Sequence, residues 1–501
     1  MSISRRRFLQ ITGALATVAC GDPAVDGDDL DKGAKRGDPG AAPGRADGAA
    51  SAAGGDPGAG IADVVDGAGA PAPGAQVRLV KGVDLDAIPL RARDFPYGVM
   101  GGDATSSAAM LWTRYIGTAG TLHVQIEPIG APKGDAAISR PVAAAERGEG
   151  GFVHVDATGL VGGTRYRYAF FVVEANKPAA RGPFGYVRAA LAPGALETVT
   201  FGGTSCSHQQ AAPYPLLGDA AKRRLDFFLH AGDHVYTDAG VDATTRAEYR
   251  AKYAEAWGTA GMSALHGSTG MVLAWDDHEI LNNYDPETLP KARIDAGRAA
   301  FFEHRATRRD PVKADRLYRS LAWGDTLELF VLDVRSERKP STRTTATCQF
   351  ISPEQLAWLQ DRLARSTAVF KFIVTSVPIT SYPAALAGNA ADKWQGYAAQ
   401  RAKVLDFVAT SGIKGVWWLS GDLHFGSVGR VEASGPRSAM REVLMGPAGS
   451  TPRVADLAAP QFDASLAELN YTVLQADPVK RELTVEFIGP AGPLFKRTYA
   501  A

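Results

Sequence analysis

Four apolar runs in this chain stop abruptly at residues that can hold a metal ion. Asp226-Phe227-Phe228-Leu229-His230 leads to Gly232-Asp233, and Met271-Val272-Leu273-Ala274-Trp275 leads to Asp276-Asp277-His278. Val416-Trp417-Trp418-Leu419 leads to Gly421-Asp422-Leu423-His424, and Thr198 to Gly203 runs into Thr204-Ser205-Cys206. Asp233, Asp277 and Asp422 are hard oxygen donors suited to divalent or trivalent cations. His278 and His424 offer imidazole nitrogen, Cys206 a thiolate, and Tyr236, three residues after Asp233, a phenolate. A shared carboxylate such as Asp233 can bridge two cations about 3.5–4 Å apart, the spacing of two-metal phosphoester hydrolysis. A histidine beside such a pair can protonate the leaving alkoxide.

The elements that must position these residues follow from the change of pattern along the chain. After Pro193, buried strands alternate with helical stretches: Leu216 to Leu225, Arg293 to Arg309, Pro353 to Leu363 and Gly396 to Thr410. Leu327 to Leu332 and Phe372 to Thr375 are further strands, the first ending at Asp333 with Arg335 two residues on. That rhythm predicts an α/β catalytic domain over 193–501 with its ligands at the carboxyl ends of the strands, where loops converge on one rim. Over 77–192 short runs of β-formers are separated by Gly and Pro turns without a long helical pattern. This predicts a small antiparallel β-sandwich with no convergent cluster of acids or histidines. Residues 21–76 are dominated by Gly, Ala, Pro and Asp with no aromatic side chain, the composition of a disordered tether.

The loops Gly232-Asp233-His234-Val235-Tyr236, Trp275-Asp276-Asp277-His278-Glu279-Ile280-Leu281-Asn282-Asn283-Tyr284 and Gly421-Asp422-Leu423-His424 resemble those of PhoD-type alkaline phosphatases. These are members of the calcineurin-like and purple-acid-phosphatase metallophosphoesterases. Thr204-Ser205-Cys206, Leu332 to Ser336 and Ser352 to Leu359 support the likeness, as do Phe95 to Asp103 and Leu111 to Arg114 near the start. The resemblance implies a four-layer fold of β-sheets flanked by helices behind an N-terminal sandwich. It implies alkaline phosphomonoesterase activity, with phosphodiesterase or phospholipase D activity as alternatives, on small phosphate mono- or diesters. It also implies a ferric ion beside calcium, other divalent cations being possible. Carried over by residue, Cys206, Asp233, Tyr236 and His424 would surround the iron, and Asp233 would bridge to a second cation held by Asp277 and Asp422.

His278 stands where related enzymes keep a histidine near the leaving group, as general acid or transition-state stabiliser. Arg335 is either a phosphate clamp or one half of a buried ion pair with Asp333 or another acid. Asn282 and Asn283 are either substrate contacts or turn residues. The cysteine loop departs from the family pattern, reading Cys206-Ser207-His208-Gln209 where the family has Gln directly after Cys, and Tyr236 is followed by Thr237-Asp238. His208, His230, His234 and His304 read as packing or surface residues.

At the N-terminus, Ser4-Arg5-Arg6-Arg7-Phe8-Leu9-Gln10 and the apolar stretch Ile11 to Ala19 read as a twin-arginine export signal over 1–20. Cys20-Gly21 resembles a lipoprotein cleavage box, giving either a membrane tether through Cys20 or ordinary cleavage. The chain is thus expected to meet the twin-arginine export machinery and to act in the periplasm, at a membrane surface or outside the cell. Without Cys20 only Cys206 and Cys348 remain, and in an oxidising compartment they could instead form a disulfide. Basic and acidic residues balance at 54 each, so no global field points to a nucleic-acid partner. The non-enzymatic alternative is a tethered surface binding protein on an inactive form of the same fold.

Overall fold

A computed structural model describes residues 76–501 except 384, 385, 387, 388, 454–456 and 458. The export signal and almost all of the tether lie outside the described residues. Among these, no helix is long and apolar enough to cross a membrane.

Two large sheets carry the chain. In the first, the order is Gly492–Ala500, Glu482–Gly489, Tyr471–Asp477, Val199–Thr204, Phe227–His230, Gly270–Leu273, Val99–Gly102, Ala108–Arg114 and Phe152–Thr158. Its four central strands, from Val199–Thr204 to Val99–Gly102, run parallel. In the second, Leu327–Val331, Phe370–Val374, Val416–Ser420 and Arg441–Leu444 are parallel, with antiparallel strands at both edges.

The strands are apolar on both faces because both faces are covered. Side chains alternate across a pleated strand, so Phe227 and Leu229 point into the layer between the sheets while Phe228 faces helices outside. The second sheet repeats this: Phe372 and Leu419 meet Phe201 and Leu229 in the middle, and Ile373 and Trp418 face Pro353–Arg365 and Ala398–Thr410. The result is helix, sheet, sheet, helix, as the resemblance implied. Lys291–Glu303 ends earlier than the sequence pattern suggested, because Arg305 turns into the core to meet Glu279 and His234. The periodicity also passed over Arg246–Trp257 and Ala260–Ser268, which pack on the outside of the first sheet.

The region 77–192 is joined to the catalytic part more closely than a separate sandwich would be. Its strands Thr121–Pro128 and Arg165–Glu174 form a five-stranded antiparallel sheet with Ile138–Pro141, Lys177–Arg181 and Gly185–Arg188. That sheet packs through Val124, Phe170 and Tyr168 against Leu111, Val153 and Val155. The strands bearing the latter residues belong to the nine-stranded sheet, which they enter where Val99–Gly102 pairs with Gly270–Leu273. Asp103 then takes the Arg308 backbone N–H and the Arg319 guanidinium, both at 2.8 Å.

A second staple sits at the opposite end of the same strands. Buried Asp226 accepts from the guanidinium groups of Arg165 and Arg188, the latter at 2.9 Å, and from the Thr200 N–H at 2.8 Å. Removing the carboxylate takes from Arg165 its ion pair and leaves Arg188 with Glu197 alone. Asp226→Ala is expected to cost about 3 kcal/mol, at the low end for a broken buried pair because Arg165 reaches solvent. Urea unfolding checks this, and a midpoint equal to wild type would refute the staple.

Candidate metal centre

The parallel strands of both sheets deliver their carboxyl ends to one rim. Cys206 follows Thr204, Asp233 follows His230, and Asp276, Asp277 and His278 follow Leu273. From the other sheet come Asp333 and Arg335 after Val331, Ser376 after Val374, and Asp422 and His424 after Ser420.

Two glycines explain how the loops come so close. A Cβ on Gly232 would lie 2.6 Å from the Asp276 Cβ, and one on Gly421 would lie 2.5 Å from the Ser205 Cβ. The Gly-Asp pair at two strand ends therefore lets one ligand loop ride over another. The ligands themselves carry strain: Cys206, Asp233, Asp422 and His424 have φ of 53°, 55°, 73° and 59°. Left-handed backbone at a residue with a side chain costs about 1–3 kcal/mol and persists where surrounding structure enforces it.

The side chains converge in three overlapping groups. Cys206, Asp233 and His424 form one, Asp233, Asp277 and His278 a second, and Asp276, Asp277 and Asp422 a third; ligand atoms within each lie within 4.8 Å of one another. Asp233 is common to the first two and Asp277 to the last two. Tyr236 completes the first group, its hydroxyl lying 3.4 Å from Asp233 Oδ2 and 3.1 Å from His424 Nε2, and Ser450 donates to it at 2.9 Å. The Cys206 Sγ lies 3.5 Å from Asp233 Oδ2. Cys206 and Cys348 are both free thiols, so no disulfide competes for the ligand. Cys348 instead accepts the Gln400 N–H at 3.4 Å.

Electrostatics set this cluster apart from an ordinary acidic turn. Burial pushes the Asp233 carboxyl well above its usual range, with Asp277 and Asp276 adding to it, and burial with the same kind of neighbours raises Asp276 to about 7. Asp277 is also buried, but Arg335 and His278 outweigh that and hold it below the usual range. Burial raises Cys206 and Tyr236 well above their normal values, and it lowers His424 to about 4 with help from Arg453. Asp276 Oδ2 is buried without a hydrogen-bond partner. A strained, desolvated set of O, N and S donors with an orphaned carboxylate oxygen fits bound cations.

Other residues nominated from sequence fall differently. Arg335 is fully buried, pairing with Asp276 and Asp392 rather than with Asp333, and its Nη2 lies 3.6 Å from both Asp277 and Asp422. Asn282 and Asn283 act through their backbone: their N–H groups donate to Asp238 at 2.7 Å and to Asp277 at 2.6 Å, and Asn283 is left-handed at φ 52°. His230, His234 and His304 are buried packing residues, while partly buried His208 lies tilted against Tyr236 with ring centroids 4.6 Å apart.

Three contributors are not among the residues nominated from sequence. Asp276 joins the third ligand group, and its place inside Trp275-Asp276-Asp277-His278 was a visible signal. Asp238 holds His278 Nδ1 at 2.8 and 2.9 Å. Glu279 accepts the N–H groups of Asp276 and His234 at 2.8 Å and of Asp233 at 3.3 Å, tying two ligand loops together from beneath. It is neutralised by fully buried Arg305 at 3.1 Å.

Comparison with known proteins bears on the family and the fold. A family profile described as PhoD-like phosphatase matches residues 201–477, and one described as PhoD-like phosphatase, N-terminal domain, matches 84–190. Alkaline phosphatase D of Bacillus subtilis (strain 168) is 27% identical over 382 residues, covering 66% of this chain and 64% of that protein. The chain therefore aligns with a little under two thirds of that relative's length. A solved structure of PhoD superposes with a TM-score of 0.69 at 21% identity, covering 83% of this chain and 90% of that one. Purple acid phosphatase PPD1 from yellow lupin (Lupinus luteus) seeds gives 0.57 at 12% identity, covering 81% and 74%. At these identities the two structures speak for the fold.

Two tests follow from the floor of the site. Glu279→Ala leaves Arg305 buried without its carboxylate and is expected to cost about 3–5 kcal/mol in chemical denaturation; wild-type stability would refute the tie. In the metal-free protein, the raised Asp233 and Asp276 carboxyls stabilise the fold fully only below about pH 4, the ordinary Asp value. That contribution fades for Asp276 as pH rises through about 7. The fall in melting temperature caused by a chelator should accordingly be larger at pH 8 than at pH 5, and a loss that shrinks with pH would contradict the assignment.

Proposed function

Because the chain belongs to the PhoD-like phosphatase family, we propose that it hydrolyses phosphate esters at the centre built on Asp233. The observation that carries this reading is the chaining of the three ligand groups through Asp233 and Asp277. Cations bound there would activate a water, orient the phosphate and neutralise developing charge.

The donor types divide between two kinds of ion. Cys206, Tyr236 and His424 with Asp233 suit a ferric ion, since burial holds the thiol and phenol protonated until a strongly acidic cation displaces the protons. Asp277 and Asp422 with Asp233 offer oxygen alone and suit calcium or a similar divalent cation.

His278 is the leaving-group acid of this reading. In the metal-free protein burial works against its charge, but Asp233, Asp277 and Asp238 outweigh it and raise it well above the usual histidine range. With cations on Asp233 and Asp277, Asp238 is the carboxylate that still supports the imidazolium. With Nδ1 spent on Asp238, Nε2 is left to give its proton to the departing alkoxide. The Tyr236 ring, 4.0 Å from the imidazole, fixes its plane. The twin-arginine sequence and Cys20 support action after export, in the periplasm, at a membrane surface or outside the cell.

Turnover of p-nitrophenyl phosphate against its bis-ester, with elemental analysis of the same preparation, tests the reading. The monoester is expected to be the better substrate, with a visible tyrosinate-to-iron colour. Asp233→Asn should abolish turnover, and His278→Gln should lower kcat by about 10²–10⁴-fold. Unchanged turnover in Asp233→Asn would sink the enzyme reading, and a colourless, iron-free, fully active preparation would remove the ferric ion from it.

A further inference from the structure

The structure assigns Lys393 as the side chain that takes the phosphoryl oxygens of the substrate and favours a phosphomonoester, an inference that rests on the phosphate-ester reading above. Arg335, the obvious cation by sequence, is enclosed on the acid side of the site. Its Nε meets Asp276, its Nη1 meets Asp392, and its Nη2 faces Asp277 and Asp422 at 3.6 Å. Its Nε and Nη1 are spent on carboxylates, and its Nη2, buried without a hydrogen-bond partner, is held between two acids of the site.

Lys393 is placed differently. It sits between the short helices Ala390–Asp392 and Trp394–Gly396, and both neighbours pin the backbone there. Asp392 accepts from Arg335 and Arg338, and the Trp394 indole N–H donates to Thr375 Oγ1 at 3.0 Å. The ammonium is thereby delivered to within 3.0 Å of Asp422 Oδ2 by a residue only 5% exposed.

The contact is an ion pair without hydrogen-bond geometry, and Asp422 Oδ2 has no hydrogen-bond partner. Among the described residues no hydrogen bond is formed by Lys393 Nζ, which leaves a nearly buried ammonium with its donors unspent. Such a group gains most from an anionic acceptor that enters the site. Asp422 is a ligand residue of the third acid group. Once its carboxylate is given to a cation, the donors of Lys393 are free for the oxygens of the group that cation binds. A monoester dianion carries one more charge than a diester at neutral pH, so an added cation discriminates in favour of the monoester.

The test uses the metal-loaded protein, with Lys393→Gln, Lys393→Met and Lys393→Arg variants. Metal content is measured by elemental analysis, inorganic phosphate binding by calorimetry, and kcat/KM on p-nitrophenyl phosphate and its bis-ester. The Gln and Met variants are expected to keep the wild-type metal content and to bind phosphate at least about tenfold more weakly, the loss of one charge-assisted hydrogen bond. They should lose more kcat/KM on the monoester than on the diester, with Arg recovering part. Wild-type phosphate affinity in a folded Gln or Met variant overturns the assignment. Loss of metal in step with loss of phosphate binding also overturns it, by making Lys393 a support for Asp422. If phosphate binding falls in the variants yet wild type cleaves neither ester, the hydrolase reading fails and the Lys393 phosphate contact stands.

Discussion

Asp233, Asp276, Asp277, Asp392 and Asp422 are brought together at the meeting of two sheets, all but Asp422 almost wholly out of water. Desolvated charges of one sign cost several kcal/mol each unless cations answer them. Much of the surrounding architecture reads as that answer. Arg335 is driven into the middle of the acids, Arg338 backs Asp392 from behind, and Lys393 closes on Asp422. These fixed cations reach Asp276, Asp277, Asp392 and Asp422, whereas Asp233 has no arginine or lysine partner. Asp233, shared by two of the candidate ligand groups, meets His278 as its only cationic side chain among the described residues.

The strand ends were legible in sequence for a simple physical reason. A strand buried on both faces must be continuously apolar, and an Asp or Cys immediately after it cannot be part of that core. Thus Asp233, Asp277, Asp422, Cys206 and His424 stood out by contrast, and they do converge. Tyr236 was visible only through its three-residue spacing from Asp233. Arg335 illustrates the limit: its position after a strand end was readable, but which acids it would meet depended on Asp392, far off in sequence and on a loop with no strand pattern. Asp238 and Glu279 act through a hydrogen bond to one histidine and to three backbone N–H groups, contacts that leave no periodic trace.

The same limit applies to the domains. Between 77 and 192 the alternation of β-formers predicted strands well, yet alternation specifies which face of a strand is apolar and not which sheet it joins. Val99–Gly102 is short, buried and ends in two glycines, and it pairs in parallel with Gly270–Leu273. The neighbour of that strand in sequence is the Asp276-Asp277-His278 loop. The N-terminal strands therefore fix one wall of the metal centre, a role that composition alone could not assign to them.

Left-handed backbone at Cys206, Asp233, Asp422 and His424 ties these points together. A strand that simply continued would alternate its side chains between the two cores and would present none of them to the rim. Turning the chain through positive φ directly at the ligand breaks that alternation and aims the donor along the strand axis. Glycine could adopt the turn without strain but has no side chain to offer, so the glycine stands one residue earlier, at 232 and 421, where close approach needs it and where, at 232, φ is also positive at 120°. The strain must then be held by something rigid beneath. For Asp233 that support is Glu279, which grips its N–H together with those of His234 and Asp276, and which is paired in the core with Arg305. The site is thus positioned from below by one buried ion pair while its upper surface keeps its donors strained and only partly satisfied, the condition in which bound cations and an anionic substrate stabilise the protein most.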